Sequence, residues 1–549
     1  MPSVARAFSS SYLAGEAIAR TFIPLDFGSV AARRTRTRAA AERRAPADLV
    51  AALREQEATL AASVTRRENL EALAGGGTAV VATGQQVGLF LGPLYGLYKA
   101  ASAVAVARAL AAESGVRCVP LFWLQTEDHD FAEIASATVA GPHGRPVTLS
   151  LPTESAGEAR VSVAHRRLPA EVGALLNRLG ELLGDGPAAR ETMALLRAHY
   201  APGRPIAAAF AGALGELFAD DGLLVFNPRD ARVATLASPI YREALGASAE
   251  LERRLDERRG ALAAAGFDEQ IPARPGCALV FGHRDTATGA RFRLARPESA
   301  SAPWRLAGCD AVMTAAEIAA ALTDEPLRFS TSALLRPIVQ DTLLPTAAYV
   351  GGPAEVSYFA QLAPIYEHFR LAMPLLVPRA SFRLLDTHTR RRLGELGLAA
   401  DDIARPEAEL LARLPAAPPP GTPSAAALAA RVTSDIAPAV DDLAATVAAL
   451  DPRDRNLARA AARTRAHVAR ALERLTGRYA RKLAERDGVA LGRLARVQDA
   501  LAPGGVPQER AYAWPSLAGR HGPAALKAMV LERLAVVGPF TTALQDLTP

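Results

Sequence analysis

Through the first 390 residues, short apolar runs that end in glycine or polar clusters alternate with stretches of helical period. Ala79 to Ala82 is an uncharged run that stops at Gly84, as a buried strand does. Gly84, Gly88 and Gly92 then open the backbone, and Pro93 suits the first turn of a helix running to about Glu113, with Lys99 in its second turn. Gly115 ends that helix, and Cys118 to Leu124 forms a second apolar strand. This is a βαβ unit, whose crossover is right-handed. Leu223 to Phe226, Thr346 to Val350 and Leu375 to Val377 read as further core strands. Thr346 to Glu355 repeats the opening grammar of strand, glycines, proline and helix, and that helix runs to about Phe369. Alternation of this kind predicts an α/β fold with a doubly wound parallel sheet.

Two stretches interrupt it. About 141–202 reads as a short β-like piece and a helix from Pro169 to His199, and about 266–327 as a β-rich insertion holding Ala278 to Phe281 and Arg291 to Leu294. Helices are expected at Ala47 to Leu73, Ala207 to Ala219 and Arg242 to Ala265. The core therefore spans 1–390. LPAAPPPGTPS at 414–424 is a linker by composition. Beyond it, Leu428, Val432, Ile436, Val440, Leu443, Val447 and Leu450 recur at threes and fours, Asp451-Pro452 breaks the pattern, and Leu457 to Leu483 resumes it. Two such helices make an antiparallel coiled-coil-like hairpin, kinked at Pro438, within a linker and helical domain at 391–501. Its apolar stripes exceed what two helices hide, which predicts a homodimer. The 502–549 segment, ending in a helix from Pro523 to Val536, is expected to return to the core.

Composition narrows the classes. Half of the 549 residues are hydrophobic, the net charge is +6, and the two signs interleave, so no nucleic-acid face is read. The densest basic run, Arg33 to Arg38, reads as a solvated helix face. Ala79 to Tyr98 lacks charge, but its glutamines, glycines and proline argue against a membrane span. Three scattered cysteines give neither a disulfide framework nor a zinc site, and with no apolar leader the reading is cytoplasmic.

Candidate chemistry gathers at the carboxyl ends of the strands, where ligands bind in open α/β sheets. After the first strand lie Thr83, Gln85 and Gln86, with Gly88 and Gly92 beyond. Their spacing is neither GxGxxG nor a P-loop, although a glycine turn into a helix offers backbone donors to an anion. After the second lie Glu127, Asp128, His129 and Asp130. Three carboxylates and an imidazole in one loop suit proton transfer or the binding of an amine; helix capping by Asp128 or Asp130 is the structural alternative. No second ligand cluster supports a metal. Arg336 can clamp a carboxylate or pair with Asp341, near Gln340. Gly351, Gly352 and Glu355 follow the fourth strand, and Arg379 and Ser381 the fifth.

Together, TGQQVGLFLGPLYGLYKA at 83–100, PLFWLQTEDHDFAEI at 120–134, LLRPIVQDTLLPTAAYVGGPAEVSYFAQL at 334–362, LVPRASFRLL at 376–385 and PQER at 507–510 resemble the bacillithiol biosynthesis cysteine-adding family, BshC. The resemblance covers essentially the whole chain. It implies a Rossmann-like core with two connecting-peptide insertions and a coiled-coil domain used in dimerisation. It also implies an amide-forming ligase that joins L-cysteine to the amine of glucosaminyl-malate, the last step of bacillithiol synthesis. ATP or another nucleotide would activate the carboxylate. Class I aminoacyl-tRNA synthetases, which that core resembles, activate by adenylation, but no HIGH or KMSKS signature is present here. In that reading Asp128, His129 and Asp130 act on the reacting amine, with His129 as base. Arg336 and Arg379 fix substrate carboxylates, and Thr83, Gln85, Gln86, Gly88, Gly92, Lys99, Glu127, Gln340, Asp341, Gly351, Gly352, Glu355 and Ser381 complete the site. The competing readings are a metal-dependent nucleotidyl- or glycosyl-transferase using the same crevice, and a non-catalytic dimeric scaffold.

Overall fold

The computed structural model describes residues 7–141, 144–154, 159–299, 301–414, 418–451, 454–486 and 488–548. They fall into two compact units: one gathers the chain up to Val139, Val147–Phe382 and Tyr512–Leu547, and the other is built mainly on Arg383–Ala511.

The first unit is organised on five parallel strands: β1 (Thr78–Gln85), β2 (Arg117–Leu124), β3 (Leu224–Phe226), β4 (Thr346–Gly351) and β5 (Leu375–Pro378). Their order across the sheet is β5-β4-β1-β2-β3. This is the doubly wound order, and its direction reverses between β1 and β4. The strands are buried nearly end to end, which is why they read as continuous apolar runs rather than alternating ones. The crossover helix Tyr95–Ser114 is buried over most of its surface and ends on Gly115, whose φ of 74° only glycine adopts without cost. It starts two residues after Pro93. The residues before it form a separate tight turn, with Phe90 and Leu91 at positive φ.

Other elements differ in detail. The charged helix expected over Arg242 to Ala265 is two helices, Ala231–Gly246 and Ser248–Ala264, broken at Ala247. The Pro169 to His199 helix is also two, Val172–Leu183 and Pro187–His199, parted by Gly184 and Gly186. The basic run does not simply face solvent. Arg33 is buried against Glu113, and Arg36 donates to the carbonyls of Thr346 and Ala372. The second insertion forms an antiparallel sheet in the order Phe329–Thr331, Cys277–His283, Arg291–Ala295, Trp304–Leu306 and Val312–Met313. Among the described residues no helix is long and apolar enough to cross a membrane.

In the second unit the helix Arg455–Arg486 packs against Ala437–Ala449 and Glu407–Arg413. Pro438 sits in the first turn of Ala437–Ala449, directly after a π-helical turn at Val432–Ile436, where its missing N–H is tolerated. Pro452, read as part of the hairpin break, lies outside the described residues. Leu443, Leu450 and Leu475 remain 64%, 82% and 64% exposed.

Candidate active site

The reversal point of the sheet is filled by side chains. Lys99 projects from the crossover helix and donates to the Gly84 carbonyl at 2.7 Å and to Gln85 Oε1 at 2.8 Å, and it pairs with Glu355. Glu355 also accepts the Gly352 N–H at 2.8 Å and the Tyr349 hydroxyl. The end of β1 is thereby tied to the helix that follows β4. Burial works against the Glu355 carboxylate, but the Lys99 ammonium, the Tyr349 hydroxyl and the Gly352 N–H together outweigh it and hold Glu355 below its ordinary range. Arg336 lies beside this cluster, donating to Gln340 Oε1 and the Tyr358 hydroxyl at 2.8 Å each, with its guanidinium 5.1 Å above the Tyr349 ring.

The open space is one strand away, at the carboxyl end of β2. A cavity of about 190 Å³ is walled there by Trp123, Glu127, Asp128, His129 and Arg336 on the core side and by Cys277, Phe281, Arg291 and Arg293 from the antiparallel insertion. Asp128 Oδ1 accepts the backbone N–H of His129 at 2.7 Å, and Oδ2 accepts from Gln86 Nε2 at 3.0 Å. Gln86 Nε2 also reaches Glu133 at 3.2 Å, so one amide bridges two carboxylates while its own Oε1 is buried without a partner. Burial raises Asp128, and Arg291, His129 and Gln86 together overcome it, leaving the group below its ordinary range. Glu133 is pushed the other way, by burial and then by the charges of Asp128 and Asp130.

His129 is held from one side. Arg291 Nη1 lies 3.1 Å from His129 Nδ1 and 3.4 Å from Asp128 Oδ1. Asp128 Oδ1 also lies 3.5 Å from Nδ1, but the shorter contact is to Arg291, and because a guanidinium only donates, a ring bonded to it accepts at Nδ1. Burial and Arg291 lower the imidazole pKa against the opposing charges of Asp128 and Asp130, which favours the neutral ring. A neutral ring that accepts at Nδ1 carries its proton on Nε2. In that tautomer His129 offers a hydrogen-bond donor from Nε2. Arg291 is itself fixed by Ser330 Oγ at 2.9 Å and by the Thr331 carbonyl, and it stacks 3.7 Å above Phe281.

The other expected residues divide. Glu127 borders the cavity and accepts from the Thr331 hydroxyl at 2.6 Å. Asp130 caps the short Phe131–Ile134 helix, the structural alternative for that position. Thr83 is fully buried and donates to the Val350 carbonyl at 2.8 Å, stitching β1 to β4. Gln340 and Asp341 are core groups: Gln340 donates to Asp341 at 2.9 Å and Tyr366 donates to the same carboxylate, so Arg336 meets Asp341 only through Gln340. Gly88 and Gly92 are explained by each other, because a Cβ on Gly88 would lie 2.9 Å from Gly92 Cα. The close approach there is of chain to chain, and a side chain would strain the loop itself. Arg379 donates its N–H to the Gly351 carbonyl at 2.8 Å and its guanidinium to Ser381 Oγ at 3.2 Å. A Cβ on Gly352 would stand 3.6 Å from Arg379 Nε and 3.9 Å from Lys99 Cε, so these residues belong to the reversal-point cluster. Arg291 and Arg293 were missed. The available signal was an arginine at every second position of a strand, which places both on one face. Among the described residues no group of three or more His, Cys, Asp or Glu is placed to hold a metal.

A doubly wound sheet with an acid–imidazole–guanidinium cluster in a cavity walled by an insertion defines a Rossmann-like enzyme core acting on a small molecule. The chain belongs to the bacillithiol biosynthesis BshC family: residues 3–380 match its N-terminal Rossmann-like domain and residues 382–542 its C-terminal coiled-coil domain. Relatives bearing the name "Putative cysteine ligase BshC" include one from Koribacter versatilis, 35% identical over 82% of this chain and 81% of that protein. A second, from Salinibacter ruber, is 35% identical over 70% of this chain and 68% of its own length. A third, from Solibacter usitatus, is 33% identical over 88% and 86%.

Proposed function

We propose that this protein is a cytoplasmic cysteine ligase that joins L-cysteine, through its carboxyl group, to the amine of glucosaminyl-malate in the last step of bacillithiol synthesis. Family membership supports the reaction class. The observation that carries the site is the Gln86–Asp128–His129–Arg291 constellation at the mouth of β2. Amide formation from a carboxylate requires one carboxyl oxygen to leave, so it must first be joined to a good leaving group, which a nucleoside triphosphate supplies. Attack by the amine then puts negative charge on the former carbonyl oxygen. His129 Nε2–H is the donor for that oxygen. Asp128 and Glu133, bridged by Gln86, receive the ammonium of the arriving amine. Glu133, with its raised pKa, is the better placed of the two to take the proton that the amine must lose. Arg291 acts through His129 as a positioning residue. Assembly is a homodimer through the exposed leucines of the helical unit.

The test is a deletion strain assayed for metabolites. Loss of the gene should make glucosaminyl-malate accumulate and bacillithiol disappear, and the wild-type gene should restore the thiol. Unchanged thiol in the deletion strain would overturn the reading.

A further inference from the structure

The antiparallel insertion encloses a second space of about 310 Å³ beside the first. The two share His129, Arg274, Phe281 and Arg293, and the second adds Arg160. Three guanidinium groups therefore line one pocket, and among the described residues no carboxylate forms an ion pair with any of them. Burial, followed by the charges of Arg274 and Arg160, pushes Arg293 below its ordinary range, with Cys277 and Asp128 opposing. Arg274 and Arg160 thus repel Arg293 across the pocket. Two of them are nevertheless held in place. Arg293 lies 4.8 Å from the centre of the Phe281 ring. Arg160 lies 4.6 Å over Phe292 and donates from Nε to the Arg291 carbonyl at 3.0 Å. Its backbone has a φ of 66°, a left-handed conformation that a non-glycine residue keeps only when its surroundings enforce it. Here the Arg291 N–H bond to the Arg160 carbonyl, at 2.9 Å, and the bridge between Val161 and Ala290 enforce it. Like-charged guanidinium groups held together at a cavity wall, with no carboxylate among the described residues paired to them, are suited to receive an anion.

We propose that Arg160, Arg274 and Arg293 form the anion subsite of this enzyme and take the dicarboxylate end of the amine-bearing substrate, setting its amine beside His129 and Asp128. The assignment rests on the ligase reading. Planar guanidinium forks carried on separate segments match two carboxylates, each bound bidentately. Arg336 and Arg379, expected in that role, already spend donors on Gln340, Tyr358, Ala380 and Ser381.

The test is calorimetric titration of the full-length protein with L-malate, L-lactate and ATP, on the wild type and on Arg274→Ser and Arg293→Gln. Arg274 is exposed, so its replacement leaves the core intact. Malate should bind more tightly than lactate, and each variant should lose malate affinity about 10- to 100-fold, the weight of a charged hydrogen bond. In turnover the KM for glucosaminyl-malate should rise by a similar factor with kcat kept. Malate that fails to bind the wild type, or binds both variants equally well, overturns the subsite. So does a loss confined to ATP, which would make the pocket a triphosphate site. Malate bound and then lost in the variants, in a protein that forms no cysteinyl amide, would leave the subsite standing and remove the ligase reading. Amide formation with an unchanged KM in both variants would do the reverse.

Discussion

Replacing Lys99 by methionine keeps the length of the side chain and removes its charge at the reversal point of the sheet. The ammonium and the Glu355 carboxylate are only 4% and 12% exposed. In the variant, Glu355 keeps its bonds from Gly352 and Tyr349 but loses its counter-ion, while the Gly84 carbonyl and Gln85 Oε1 lose a donor. Breaking a buried pair from one side costs about 3–5 kcal/mol, because the remaining charge is stranded rather than because the pair was strongly favourable. Against a domain stability of about 5–15 kcal/mol that loss is large. Glu355→Gln in the Lys99→Met background removes the stranded charge, so the double variant should recover about 1–3 kcal/mol relative to the sum of the single losses. The assay is intrinsic fluorescence in urea. All three tryptophans, Trp123, Trp304 and Trp514, lie in the first unit, so the signal follows that unit alone. A Lys99→Met variant within about 1 kcal/mol of the wild type, well under the cost of a stranded charge, would refute the reasoning. So would a double variant as unstable as the two single losses added together.

Two further outcomes are expected. His129→Ala should lower thiol production in the complemented deletion strain by about 10² to 10³, the cost of one oxyanion donor, whereas His129→Gln, which keeps an N–H, should recover part of it; full activity in His129→Ala would show that the loop does no chemistry. For assembly, light scattering should give a dimer for the wild type and a monomer for Leu443→Glu/Leu450→Glu/Leu475→Glu, and a monomeric wild type would end the dimer reading.

Much of the core was legible because its strands are buried on both faces and stop at glycine or polar clusters; Ala79 to Ala82 and Thr346 to Val350 announce themselves in this way. Spatial order was not legible, since nothing local in β4 says that it lies beside β1. Within the site, Asp128 and His129 could be found from charge density after an apolar run. For Arg291 the alternation with Arg293 marks a strand face, but not its place 3.1 Å from an imidazole 162 positions earlier in the chain. Several expected contacts share another feature. Gly88, Thr83, Gln340 and Asp341 looked like ligand contacts because they are polar or small at strand ends, yet each meets another part of the chain. Strand ends in a doubly wound sheet must satisfy their own backbone groups before they can serve a ligand.

That requirement also explains why the cavity is where it is. In a doubly wound sheet the crevice at the reversal point is the default ligand site, because the flanking loops diverge there. Here Lys99, Glu355 and Tyr349 occupy that position, bonded to one another and to the end of β1, with Arg336 stacked over Tyr349. A dinucleotide phosphate would have to displace a buried ion pair to enter. The space that remains is displaced toward β2, and the antiparallel insertion supplies its second wall with Phe281, Arg291 and Arg293. The insertion thus does more than decorate the core. It adds Arg291 and Arg293 to a cavity whose core side carries Glu127, Asp128 and, among the described residues, a single guanidinium, that of Arg336. A substrate carrying both an amine and carboxylates, as proposed above, would meet the carboxylates of the core and the guanidinium groups of the insertion across one cavity.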